Sequence, residues 1–261
     1  MSQPIWTPDA LRSEARPFAG PGWRFVEAQH RVSTLKLVDS LAEQTVLEDI
    51  IEETKPPVPE DCRHLDYLLA TPFRYRPYPA GSRFRRAGLT PGVWYGAERP
   101  ETAAAEMVFY RFLFYAESPE TPFPDDAAEY TAFSVDLATP AALDLTTGTL
   151  AEDRARWTRL ADYEPCQELT EIAREIGAEV IRFVSVRDPD GDANLAVLSC
   201  RAFESPAPVE RQTWRIRIGR TGAQALREHP RLGLEFATDA FAPDPRLEGM
   251  VWDRPRARIE R

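Results

Sequence analysis

A chain of 261 residues that is 43% hydrophobic and holds six Trp can bury a substantial core in one large domain, or in one domain with a small appendage. Its formal charge of -10 argues against a protein whose main task is gripping DNA or RNA. Of its 32 basic residues only Lys36 and Lys55 are lysines, so the wealth of arginine reads first as a compositional bias. Cys62, Cys166 and Cys200 are far apart and odd in number, which suggests buried thiols in a reducing compartment and no disulfide framework. The three His are dispersed without zinc-ligand spacing, so no metal is expected. A polar, Pro-interrupted start and the lack of a long apolar run predict a cytoplasmic protein that does not span a membrane.

Along the chain, the first thirty residues read as irregular. Ser33 is a candidate cap for a helix running to about Thr54, with Leu37, Val38, Leu41, Val46, Leu47, Ile50 and Ile51 as its apolar stripe. KPPVPE stops that helix, and residues 1–60 are taken as an N-terminal helical extension. Packing onto the following domain is one use for the stripe; self-association or partner binding is the other. PFRYRPY (72–78) and GVWYGA (92–97) then read as short strands around the turn-rich AGSRFRRAG. Pro100 opens a helix that carries Glu106 to about Tyr115. EYTAFSVDL (129–137) is a strand, and a helix from about Pro165 to Ile176 ends at Gly177. AEVIRFVSVR and ANLAVLSCRAF flank DPDGD as a hairpin, and TWRIRIG and LGLEFAT add strands. Helices and strands without regular alternation indicate an α+β fold, with mixed, mostly antiparallel sheets and packed helices.

Three clusters could carry chemistry. Glu106 sits in a segment built for burial, and Thr102, Ala103, Phe109 and Tyr110, its helical neighbours, include no cation. It is either one half of a structural ion pair or a functional carboxylate. FRYRPYPAGSRFRRAG (73–88) holds Arg74, Arg76, Arg83, Arg85 and Arg86 and no acid. Guanidinium forks match phosphate oxygens, so this segment is either an anion site or a solvated edge strand protected by its charge. Ser185, in FVSVRD, follows an apolar strand and can orient a ligand or simply bond the backbone. It lacks a Gly-x-Ser-x-Gly turn and a neighbouring His, which disfavours a serine hydrolase.

Together these features resemble the RES domain, named for its Arg, Glu and Ser. The resemblance covers roughly Leu68 to Phe203, best in TPFRYRPYPAGSRFRRAGLTPGVWYGAERPETAAAEMVFYR and VSVRDPDGDANLAVL, within a catalytic domain taken as 61–261. It implies the toxin of a bacterial toxin–antitoxin pair, with a fold similar to ADP-ribosyltransferases. It also implies NAD+ as substrate, no further cofactor, and a helix-turn-helix (Xre-like) antitoxin as partner. By the same resemblance Arg74 takes the family Arg, with Arg76 its competitor. Arg83 takes the second Arg, Tyr95 the Tyr, Glu106 the Glu and Ser185 the Ser. Arg74, Glu106 and Ser185 would be catalytic, and Arg74, Arg83, Tyr95 and Ser185 would bind NAD+.

Chemistry agrees with these types. Loss of nicotinamide from NAD+ leaves a ribosyl centre with oxocarbenium character, which a carboxylate stabilises. Transfer of ADP-ribose to a protein is the enzymatic alternative to hydrolysis or phosphorolysis, and a non-catalytic binding module is the alternative outside enzymology. About 79 residues separate Glu106 from Ser185, an insertion that can reshape access to the site. Direct nucleic-acid binding is disfavoured by the acidity, and self-association is left open.

Overall fold

Eight strands, arranged in the order β1-β2-β5-β4-β3-β6-β7-β8, organise the chain. The computed structural model describes residues 6–27, 37–75 and 81–254. In chain order the elements are α1 (Pro8–Glu14), β1 (Arg16–Glu27), α2 (Leu41–Thr54), α3 (Tyr67–Arg74), β2 (Trp94–Ala97), α4 (Pro100–Glu117), β3 (Ala128–Asp144), α5 (Arg154–Trp157), α6 (Glu164–Glu175), β4 (Val180–Val184), β5 (Ala193–Val197), β6 (Glu210–Gly219), β7 (Gly222–Arg227) and β8 (Leu232–Phe236). The class is α+β, as the interspersed pattern predicts. Among the described residues only β3 and β4 pair in parallel. No described helix is long and apolar enough to cross a membrane.

Strand β1 also pairs with β3, so β1, β2, β5, β4 and β3 close on themselves while β6, β7 and β8 extend from β3. This corrects the reading of residues 1–60 as a helical extension, because β1 runs beside β3 from Arg16 to Glu27. The strand is hard to see in PFAGPGWRFVE because of its prolines and glycines. They are tolerated because β1 meets β2 only at Trp23 and Ala97, which leaves the edge beside Pro17 and Pro21 open. Gly96 marks that junction: a Cβ there would lie 2.4 Å from the Trp94 ring. Only a glycine lets the two strands meet.

Helix α2 starts at Leu41, with the Ser40 side chain accepting from the Glu43 amide, and Ser33 lies outside the described residues. Its stripe does not pack as a face, since Leu41, Val46 and Ile50 are exposed and only Leu47 and Ile51 are half-buried. Residues 72–75, the described part of PFRYRPY, form no strand. Asp66 caps α3, which runs through Pro72 and ends at Arg74, and residues 76–80 lie outside the described residues. Pro72 follows the first turn, where the capping bond to the Leu68 amide has already set the helix. Cys62 and Cys200 form a disulfide with Cα atoms 5.5 Å apart, which corrects the expectation of three thiols; Cys166 is free and buried. A separation of 138 residues gives no local signal for that pairing.

Two apolar clusters sandwich the ring of strands. One packs Ala104, Val108 and Phe112 of α4 against Trp214 and Ile216 of β6. The other joins Leu11 of α1, Trp157 of α5 and Leu169 of α6 to Ile181 of β4. Arg182 ties the elements around the site. Its guanidinium bonds both carboxylate oxygens of Glu98, just after β2, and reaches Asp144 at the end of β3. The joint between β2 and α4 is therefore fixed from below.

Candidate active site

A cavity of about 300 Å³ opens between β1, β2, β5 and the N-terminal half of α4. Its walls include Arg24, Arg83, Tyr95, Glu106, Arg187 and Asn194. Three arginines and one glutamate give this lining a formal excess of two positive charges, inside a protein of charge -10. Such a concavity concentrates anions.

Glu106 reaches the cavity because Pro100 starts α4 shortly after β2, which puts the seventh residue of the helix at the cavity wall. Its Oε1 accepts from Ser185 Oγ at 2.7 Å and from Asn194 Nδ2 at 2.6 Å. No arginine is hydrogen-bonded to it among the described residues, so the structural ion-pair reading is not what the geometry displays. Ser185 follows β4 and is buried. Its Oγ also accepts from the Arg187 amide at 3.2 Å and the Asp188 amide at 3.1 Å. One donated and two accepted bonds use the whole capacity of a hydroxyl. Ser185 thus aims the Glu106 carboxylate and folds the turn after β4, with no lone pair left for attack. Asp188 in turn accepts from Thr102 Oγ1 at 2.6 Å, locking that turn to α4.

Tyr95 lies on β2 with its hydroxyl already engaged, 2.8 Å from Ser82 Oγ and accepting from the Phe84 amide at 3.0 Å. Burial pushes its ionisation upward. What it offers a ligand is therefore its ring and not its oxygen. Arg83 donates to the carbonyls of Trp157 and Arg159, at 2.6 and 2.9 Å, and lies over the Tyr163 ring. It borders the cavity while bracing the 157–160 stretch.

Arg74 is not brought to this site. Its guanidinium bonds the Pro56 carbonyl and pairs with Glu52 at 2.6 Å, which joins α3 to α2. The expected catalytic and NAD-binding place of Arg74 is corrected on that ground: a helix end, not a strand, carries it away from Glu106. Arg76 lies outside the described residues. Arg86 pairs with Glu171, and among the described residues of the cationic segment only Arg83 lines the cavity.

Arg24 of β1 lines the cavity instead, and composition gave no hint of it. Its guanidinium lies 5.7 Å from the Trp94 ring centroid, and its Nη1 is buried with no hydrogen-bond partner. Desolvation pulls its pKa down to about 10. A half-buried cation that lines a cavity and has one buried, unpartnered nitrogen is suited to receive an anion. Asn194 is the other residue missed. Its amide nitrogen bonds Glu106, while its Oδ1 is buried without a partner. Both sit on strands whose apolar alternation masks a polar inward position.

Arg187 completes the wall. Its Nη2 donates to Asp244 at 2.7 Å and to the Leu160 carbonyl at 3.2 Å, and its guanidinium lies 3.9 Å from the Phe109 ring centroid. Burial lowers its pKa, and the charges of Glu106 and Asp244 partly offset this. Tyr110, one turn beyond Glu106, is more than half exposed, and local desolvation together with the Glu106 charge raises its ionisation.

Comparison with known proteins places this geometry. A family model described as RES domain matches residues 58–218. Among solved structures, one described as the crystal structure of the M. tuberculosis MbcT-MbcA toxin-antitoxin complex is similar, with 16% sequence identity and a TM-score of 0.47. That alignment covers 79% of this chain and 92% of the other. No curated protein matches.

Proposed function

The chain belongs to the RES-domain family, and from that membership and the cavity's geometry we propose that it is a bacterial toxin that cleaves the nicotinamide–ribose bond of NAD+. The observation that carries this reading is a carboxylate held by Ser185 and Asn194 in a cavity that otherwise bears unneutralised arginine. A carboxylate aimed at the ribose stabilises the positive charge that grows as neutral nicotinamide departs. Two hydrogen bonds to one oxygen keep Glu106 pointed without supplying a counter-cation, so its charge is available to the ligand. Arg24 and Arg83 take the diphosphate, Tyr95 gives its ring to the nicotinamide, and Ser185 positions without becoming covalent. The cavity suits one end of the dinucleotide, with the remainder crossing its mouth.

Water or phosphate accepts the ADP-ribosyl group in this reading, NAD+ is consumed in the cytoplasm, and an Xre-like antitoxin holds the activity in check. The test is NAD+ consumption by purified protein with and without phosphate, followed by mass spectrometry of the products. Free nicotinamide with ADP-ribose or its phosphorylated form is the expected result. Label retained on a protein acceptor would move the activity to ADP-ribosyl transfer. No loss of NAD+ in folded, antitoxin-free protein, with or without cell extract, refutes the reading.

A further inference from the structure

The segment after β8 lies beyond the residues matched by the family, yet it backs the site through Arg187, which lines the cavity. Its aromatic and aliphatic residues Phe241, Leu247, Met250 and Trp252 pack on the α4 cluster. Arg254 pins it there by donating to the Ser118 and Thr121 carbonyls, at 2.7 and 2.9 Å. From this anchored segment Asp244 projects inward, with a side chain 1% exposed, to meet Arg187, whose side chain is 4% exposed. Asp244 also accepts from Arg246 Nε at 2.9 Å and Nη2 at 2.8 Å. The Leu160 carbonyl receives both guanidinium groups, at 3.2 and 3.1 Å.

Arg187 thus has two anions within its reach, Asp244 and Glu106, along with Tyr163 and the repelling Arg246. The Phe109 ring beneath it belongs to the residue three places after Glu106 on α4, and both Arg187 and Glu106 line the cavity. Its hydrogen bonds nevertheless go to Asp244 and Leu160. A buried guanidinium deprived of its partner seeks the next carboxylate, because an unpaired charge out of water is the costlier state. We propose that Asp244 is a positioning residue that holds Arg187 off Glu106, so that the carboxylate stays free for the ligand. The kinetic side of this inference rests on the NAD+-cleaving reading; the structural side does not.

Three variants test it: Asp244→Asn, Asp244→Glu, and Asp244→Asn combined with Arg187→Gln. In the crystal structure of Asp244→Asn, Arg187 is expected to pair with Glu106. Its kcat should fall roughly tenfold or more, while KM for NAD+ stays within about threefold, since the loss is of transition-state stabilisation. Asp244→Glu should keep most of the rate. The double variant should recover most of kcat, because the cation that captures Glu106 is gone; a merely structural Asp244 gives no such recovery. Arg187 unmoved in the Asp244→Asn structure, or a double variant no faster than the single one, overturns the inference. Should Asp244→Asn fail to fold, the double variant decides alone: a kcat within about tenfold of wild type supports the inference, and a deeper loss overturns it. If the wild-type protein does not cleave NAD+, the functional reading fails, and the position of Arg187 in the Asp244→Asn crystal still judges the positioning.

Discussion

Replacing Arg24 by Met should make the protein more stable and less able to bind its ligand. Desolvation alone drives the guanidinium well below its ordinary value, down to about 10. At about 1.36 kcal/mol for each tenfold change, that drop corresponds to roughly 3 kcal/mol of penalty on the charged form. Water reaching the cavity screens part of it, leaving about 2 kcal/mol. The sign follows from linkage. A base whose pKa is lowered by folding binds fewer protons in the folded state, so the penalty is fully present below about pH 10 and disappears only as pH rises from there towards the ordinary guanidinium value. At neutral pH Met removes the charge while keeping a stem of similar shape, and it relieves the whole penalty. For a chain of this size, ~2 kcal/mol raises Tm by about 4–8 °C. Thermal unfolding and calorimetric titration with NAD+ on the same sample provide the assay. A variant with unchanged or lower Tm would refute the account of Arg24 as an uncompensated buried charge. A variant that binds NAD+ as well as the wild type would refute its role as anion receptor.

Other substitutions separate the remaining roles. Arg74→Met loses the pair with Glu52 and the bond to the Pro56 carbonyl, both away from the cavity, so NAD+ cleavage should be retained while urea unfolding shows a modest loss of stability. Glu106→Gln keeps an oxygen for Ser185 and Asn194 but loses the charge. An interaction of about 4 kcal/mol, for unit charges ~4 Å apart at an effective dielectric near 20, corresponds to a loss of roughly a thousandfold in kcat with Tm nearly unchanged. Tyr95→Phe strands the Phe84 amide and Ser82 hydroxyl but keeps the ring. Stability should drop by about 1–3 kcal/mol while KM for NAD+ barely moves, and a large rise in KM would instead give the hydroxyl to the ligand.

What the sequence discloses follows from the physics of each signal. Tyr95, Glu106, Arg83 and Ser185 converge on one cavity, and short motifs point to them because each occupies a position with a strict local requirement. Glu106 interrupts an apolar helix, and Ser185 stands where a strand breaks into a Gly-containing turn. Arg74 misleads because FRYRPY alternates like a strand, while the Asp66 cap and the burial of Leu68, Leu69 and Ala70 commit the segment to a helix. Arg24 escapes notice because β1 owes its extended form to β3, a partner more than a hundred residues away, and not to its own composition. The Cys62–Cys200 pairing is illegible for the same reason: long-range closure leaves no trace in local spacing.

The ring of strands also fixes where this protein can be cut. A fragment beginning at residue 58, where the family resemblance starts, would omit β1 altogether. Strand β3 would then present unpaired backbone from Tyr130 to Ala142 on a side that β1 normally covers. Such a bare edge invites pairing with other chains. The same cut would delete the one cavity arginine whose Nη1 lacks a hydrogen-bond partner among the described residues. Laboratory work on the minimal domain would therefore study an aggregating and empty shell, and its silence would say nothing about the intact molecule.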